Sequence, residues 1–301
     1  LSLAKTKYRQ KYESMLRTVQ GAMHIKGKTF LAGNDPRFGL PHPDFLSSYT
    51  LDDIKNWVLP QFKKAPVEVS VIGDMDPGEV VDCAKKYVSA LASRNSYPVE
   101  MESKGKIGFP SGEKLEIDLD TKIETGAVHV VFLTDDFWDI AQTRRLSILA
   151  RAVEERLRFS IREELGEAYA PYVYNEPSSV FEDFGLFHIV VNVGPERHEL
   201  VFQKVNEIID SIVTKGIQAE ETKLALKPVL THLKSLRSTN AYWLNAVMAN
   251  SSQFPQKFEW AATLAEDYER INEKDLNELV SKFLKRNKRA EVFVKVKNET
   301  E

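Results

Sequence analysis

Residues 156–174 read RLRFSIREELGEAYAPYVY: an amphipathic helix gives out at Gly166 and an aromatic strand begins at once. Upstream, Leu146, Leu149, Val153, Leu157 and Ile161 recur at three- and four-residue spacing. That is one apolar stripe on a 3.6-residue period, and it predicts a helix over 139–165. Gly166 suits the left-handed position that closes a helix. The strand that follows, predicted over 169–175, carries Tyr169, Tyr172 and Tyr174. Arg162 sits on the last helical turn and Tyr169 just past the glycine, so a guanidinium and a phenol are expected to point into one space. Both donate hydrogen bonds, which suits a peptide carbonyl or a developing oxyanion. Each residue also has a plainer explanation. A cation in the last turn suits the helix dipole, and tyrosine packs well on a sheet.

A long-range repeat extends the pattern. Residues 50–72, TLDDIKNWVLPQFKKAPVEVSVI, align with residues 272–294, NEKDLNELVSKFLKRNKRAEVFV. Thr50 and Asn272 are each followed three residues later by an aspartate, Asp53 and Asp275, a helix-start signature. Ile54, Trp57 and Val58 then fall in step with Leu276, Leu279 and Val280, and each helix runs into basic residues and an alternating strand. An offset of roughly 220 residues is far beyond a solenoid period and suggests a duplicated domain. The second copy has a long block before its matching segment, whereas the first has little. Residues 1–98 are therefore expected to be the C-terminal part of a first domain, 99–112 a linker, and 113–297 a nearly complete second domain. The linker, VEMESKGKIGFPSG, holds three glycines, a proline and no helical stripe.

Further elements follow from the same rules. Helices are expected over 4–23 and 51–64, a strand over 67–72, and a helix opened by Asp76-Pro77-Gly78-Glu79. Strands are expected near 115–119, 127–134 and 185–193. Helices follow over 197–215, from 219 to 271 with a break at 254–255, and over 273–286, with a last strand over 290–296. Strands grouped apart from helices indicate an α+β fold, its sheets covered on one face.

Composition narrows the function. The chain has 301 residues, 43% hydrophobic and 28% charged, enough for a sizeable core. A net charge of −3 gives no nucleic-acid footprint and no basic membrane patch. No apolar run approaches a membrane span, and LSLAKTKYRQKYESM has no apolar stretch typical of a signal peptide. The chain is expected to be soluble, with its compartment unspecified. Its start at Leu1 suits a processed or excised piece. Cys83 is the single cysteine, which excludes disulfides within the chain and predicts a small buried residue on a helix.

Among the six histidines, His24, His42, His129, His188, His198 and His232, no two lie three to five residues apart. Neither His-x-x-Glu-His nor His-Glu-x-x-His is present, so no metal ligands are expected here. His129 and His188 fall in apolar strands, where local hydrogen bonds are expected to satisfy them. Phosphate-binding glycine loops and a Gly-x-Ser-x-Gly elbow are absent.

The run Arg162-Glu163-Glu164-Leu165-Gly166-Glu167-Ala168-Tyr169, with its long preceding helix, resembles the C-terminal-half motif of the insulinase/pitrilysin-type zinc metallopeptidases. That family includes mitochondrial processing peptidases and the bc1 core subunits. The resemblance implies an α+β, mitochondrial processing peptidase-like fold with mainly antiparallel sheets covered by helices. It also implies a metal-free C-terminal half that closes a chamber over peptide substrate. Zinc would belong to an N-terminal half or subunit, the implied partner. By this resemblance Arg162 binds a substrate carbonyl, and Tyr169 binds substrate and stabilises the tetrahedral intermediate as an auxiliary catalytic residue. A substrate strand is expected to pair with a sheet edge. The alternatives are a non-catalytic assembly subunit of the same fold, like the bc1 core proteins, and a general α+β ligand-binding module.

Overall fold

The computed structural model describes residues 1–89, 91–95, 105–122, 125–165, 171–194 and 197–296, leaving aside the side chains of residues 162, 164 and 165. Two compact units emerge. One joins Ser48–Ser103 to Pro228–Glu269, and the other joins Ser2–Ser47 to Lys104–Lys227 and Arg270–Glu301.

In chain order, the helices of the larger unit begin with α1 (Ser2–Met15), α2 (Val19–Ala22), α3 (Lys28–Leu31) and α4 (Pro43–Ser47). The smaller unit contributes α5 (Leu51–Lys64) and α6 (Pro77–Val88). The larger unit resumes with β1 (Lys114–Leu119), β2 (Gly126–Thr134), α7 (Ile140–Leu165), β3 (Pro171–Pro177), β4 (Gly185–Val193) and α8 (His198–Lys215). Helix α9 (Ala219–Leu236) crosses the division at Pro228, α10 (Gln256–Glu269) belongs to the smaller unit, and α11 (Glu273–Phe283) and β5 (Arg289–Val296) to the larger.

The five strands form one sheet in the order β1-β5-β2-β4-β3. β2 runs antiparallel to both β4 and β5, β3 antiparallel to β4, and β1 parallel to β5. The fold is thus α+β with a mainly antiparallel sheet. Side chains alternate between the faces of a strand, and both faces here are apolar. Val128, Val130, Phe132, Phe187, Ile189 and Phe293 share one face, on the side where α7, α8 and α11 pack. Helix α7 turns its stripe inward as its spacing predicts: Leu146, Leu149, Val153, Leu157 and Ile161 are all buried.

The second face corrects the expectation of a sheet covered on one side. Ala127, Val131, Leu186, Val292 and Val294 cluster with Ala22, Met23, Phe30 and Leu31 from the N-terminal helices. Those helices also differ from the single predicted helix over 4–23. The chain breaks at residues 16–18, where Thr18 accepts the Gly21 N–H and restarts the helix as α2. A π-helical turn, Met23–Gly27, then leads into α3.

Both halves of the repeat start as predicted. Thr50 and Asn272 each cap their helix, with Asp53 and Asp275 closing a reciprocal capping box. Asp76 accepts the Glu79 N–H at the start of α6. Helix α8 ends at Gly216 with φ 74°, a left-handed conformation that favours glycine. Helix α11 stops at Phe283, short of the predicted 286, because a 3₁₀ turn over Arg286–Lys288 redirects the chain into β5. The predicted strand over 67–72 does not form: residues 66–72 carry no strand pairing.

Candidate functional site

Arg162 lies on the last turn of α7, as predicted, but its side chain falls outside the described residues. Gly166 and Tyr169 fall there as well. Tyr172 and Tyr174 are described; they lie on β3, on the sheet face opposite α7, each 38% exposed.

The smaller unit holds an unusual surface. In the second repeat copy, Leu276, Leu279 and Val280 are at most 6% exposed, and Val292 and Val294 are fully buried on an inner strand of the sheet. In the first copy, the equivalent Ile54 and Trp57 are 39% and 73% exposed, and Val69 and Val71 are 56% and 40% exposed. Neither α5 nor α6 has a buried residue. Cys83, expected to be a small buried residue, is exposed for the same reason. The cap, the helix and the apolar pattern of the repeat are all present here. Among the described residues, what is missing is a sheet for them to pack on.

A second feature lies in the larger unit. A cavity of about 480 Å³ opens between the N-terminal helices, the sheet face and the β3–β4 hairpin. Met23, Leu31, Phe38, Phe181 and Phe184 give it apolar walls, and His129 and His188 line it on the sheet side. β2 and β4 place these two imidazoles on one face: His129 is opposite Val190, and His188 is opposite Val131. Tyr174 stacks on His188 with ring centres 4.5 Å apart and planes 12° apart, and Tyr172 stacks on Tyr174.

The expectation that local hydrogen bonds satisfy the two histidines is not met. All four ring nitrogens are buried without a hydrogen-bond partner among the described residues. His188 Nε2 approaches Glu176 Oε2 only to 3.5 Å, too far for a good hydrogen bond. Burial and the neighbouring His188 push the His129 pKa down to about 3, and burial pushes that of His188 down too. Both rings are therefore neutral at pH 7. At the rim Glu176 is held at about 2 by the long 3.5 Å contact to His188 Nε2 and by Lys28, which pairs with it at 2.8 Å.

Of the sheet's two edge strands, β1 and β3, the latter is poorly suited to strand addition. The Val173 N–H points away from β4 and donates to Glu154 Oε2 at 3.0 Å. Pro171 and Pro177, two and four residues either side, share that outward register and have no N–H to offer. An incoming strand finds few donors on this edge, a usual protection against strand addition.

The described donor set does not fit a catalytic zinc ion. Among the described residues, no three His, Cys, Asp or Glu side chains converge to hold a metal, whereas such sites take three protein ligands. His198, the other buried histidine, is engaged with the Val294 carbonyl at 2.9 Å. No described helix is long and apolar enough to cross a membrane.

The profile of the peptidase M16 inactive domain matches residues 48–228. A crystal structure of a peptidase M16 inactive domain from Pseudomonas fluorescens superposes with a TM-score of 0.80 at 15% identity, covering 100% of this chain and 71% of that one. Chloroplastic stromal processing peptidase of Oryza sativa subsp. indica is 22% identical over an alignment of 297 residues that covers 83% of this chain and 24% of the relative. An uncharacterized zinc protease of Rickettsia felis is 24% identical over an alignment of 216 residues that covers 69% of this chain and 49% of the relative. The chain thus spans about a quarter of the rice relative. It belongs to the peptidase M16 family, as an inactive domain of that zinc-protease family.

Proposed function

We propose that this chain is the metal-free half of an M16 zinc endopeptidase. It would close the chamber and bind peptide for hydrolysis at a zinc site in an N-terminal half. The observation that carries this reading is the bare face of α5 and the unpaired segment 66–72. Their repeat partners, α11 and β5, are buried against a sheet within this chain. The first copy needs an equivalent sheet, and the zinc-bearing half is the partner that would supply it. Residues 1–98 then form the tail of a first peptidase-like domain, 99–112 the linker, and 113–297 the second domain. That partition follows the repeat along the chain, while the compact units group Ser2–Ser47 with the later strands. Fully burying each of Ile54, Trp57, Val69 and Val71 contributes roughly 1.5–3 kcal/mol before ordering costs.

In this reading Arg162 holds a substrate carbonyl, and Tyr169 donates a hydrogen bond to the oxyanion as it forms. The Rickettsia felis relative's description as a zinc protease supports zinc in the complete enzyme, supplied from outside this chain's described donor set. Reconstitution tests the proposal. The purified chain is mixed with a zinc-bearing M16 half, and hydrolysis of a quenched fluorescent peptide is followed. Turnover should require both components and be lost on chelation. Stable association without turnover would instead indicate an assembly subunit, and no association would defeat both readings.

A further inference from the structure

We infer that the cavity between the N-terminal helices and the sheet is an anchor pocket for an aromatic, hydrogen-bonding side chain of a bound peptide, tyrosine or tryptophan. This rests on the peptide-binding reading above and adds a specificity to it. The cavity's volume of about 480 Å³ lies in the usual range for ligand sites of roughly 300–1,000 Å³. Its floor carries two imidazoles, His129 and His188, at 5% and 4% exposure. Leaving a buried polar group without a hydrogen bond is costly; three of the four ring nitrogens beside the cavity have no partner and His188 Nε2 has only the long 3.5 Å contact to Glu176, so they call for an occupant that brings polar atoms. A neutral imidazole offers one donor and one acceptor. A phenol or an indole N–H answers this, whereas an aliphatic side chain does not.

Three further features select an aromatic ring. Tyr172, Tyr174 and His188 form a stacked column with interplanar angles of 7° and 12°, presenting ring faces and edges to a fourth ring. Met23, which also lines the cavity, adds a thioether suited to aromatic contact. The Met23–Gly27 turn is π-helical, an irregularity that often accompanies a binding site. Charge is disfavoured within: the walls are apolar, both imidazoles are neutral, and Lys28 and Glu176 already pair with each other at the rim. The mouth reaches solvent at Val180, 46% exposed, and at Tyr172 and Tyr174. A passing chain can therefore insert a side chain without adding a strand to the protected β3 edge.

The test uses the full chain with ¹⁵N-labelled histidine and three probes: Ac-Ala-Ala-Tyr-Ala-Ala-NH2, its leucine counterpart, and free p-cresol. The tyrosine peptide should shift two imidazole ¹⁵N signals that His129→Leu and His188→Leu assign, and bind at least about tenfold tighter than the leucine peptide. Val180→Trp, a change on the exposed mouth, should plug the pocket and weaken the tyrosine peptide about tenfold or more without lowering the melting temperature. Equal affinity for the leucine peptide, unmoved imidazole signals, or undiminished binding by Val180→Trp would overturn the inference. So would p-cresol binding as tightly as the peptide, because that marks a small-molecule site. The titration contains no zinc-bearing half, so failed reconstitution and a failed titration are separate results.

Discussion

Acid should unfold the larger unit from the histidines first. His129 has an ordinary pKa of 6.5 that falls to about 3 in the folded chain. The unfolded chain therefore binds a proton that the folded chain refuses, and stability falls as pH drops from 6.5 toward 3. At pH 5 the cost for one such ring is about 2 kcal/mol relative to pH 7, and at pH 4 about 3 kcal/mol. His188 shifts the same way, with burial outweighing the pull of Glu176, and adds to the loss. The depressed carboxylates respond later. Glu116 beside Lys114 and Lys295, Glu176, and Asp35 beside Arg37 are each held at about 2. Their stabilisation is present above about 4.5 and lost only as pH falls toward 2. The interval from pH 7 to pH 5 thus isolates the imidazoles. Urea unfolding followed by circular dichroism at both pH values, for the native chain and His129→Leu, measures the difference. The variant's loss between pH 7 and pH 5 should be smaller by about 2 kcal/mol. Identical losses in the two proteins would refute the placement of a neutral, buried imidazole at 129.

Other expectations are more local. In the reconstituted enzyme, Tyr169→Phe should lower kcat about a hundred- to a thousandfold with little change in KM, as loss of an oxyanion donor does; unchanged turnover removes that role. Trp57→Ser should abolish or strongly weaken association with a zinc-bearing half in analytical ultracentrifugation while leaving the melting temperature of the isolated chain unchanged, because Trp57 is 73% exposed. Leu157→Ala, at a fully buried position of the α7 stripe, should cost about 2–5 kcal/mol in urea unfolding. Asn272→Ala should cost about 1 kcal/mol by loss of the α11 cap, read by the same method.

What was legible in the sequence was mostly local. The α7 stripe, the capping boxes at Thr50 and Asn272 and the start of α6 at Asp76 depend on neighbours within a few residues, and each formed where its pattern placed it. Failures came where distant partners decide the outcome. Residues 66–72 have the alternation of a strand, yet a strand exists only when something pairs with it. Cys83 sits on an amphipathic helix, but burial requires a surface to face. The parallel pairing of β1 with β5 and the N-terminal cover over the second sheet face join segments far apart in the chain, which no local pattern encodes. The juxtaposition of His129 and His188 depends on the β2–β4 register in the same way. Its only sequence signal was a histidine at one alternating position in each of two otherwise apolar strands. The Thr18 break is hidden in the sequence although threonine is a favoured cap, because helix-compatible residues flank it on both sides.

The first repeat copy either packs on a sheet supplied by a partner or stays bare. Hydrogen–deuterium exchange of the chain, alone and with a zinc-bearing M16 half, reads this at the backbone amides of 67–72. Alone, these amides should exchange rapidly, since no strand pairing holds them; in the mixture they should become protected together with the apolar face of α5. Rapid exchange that persists in a demonstrably formed complex, or strong protection in the isolated chain, would contradict packing on a partner's sheet.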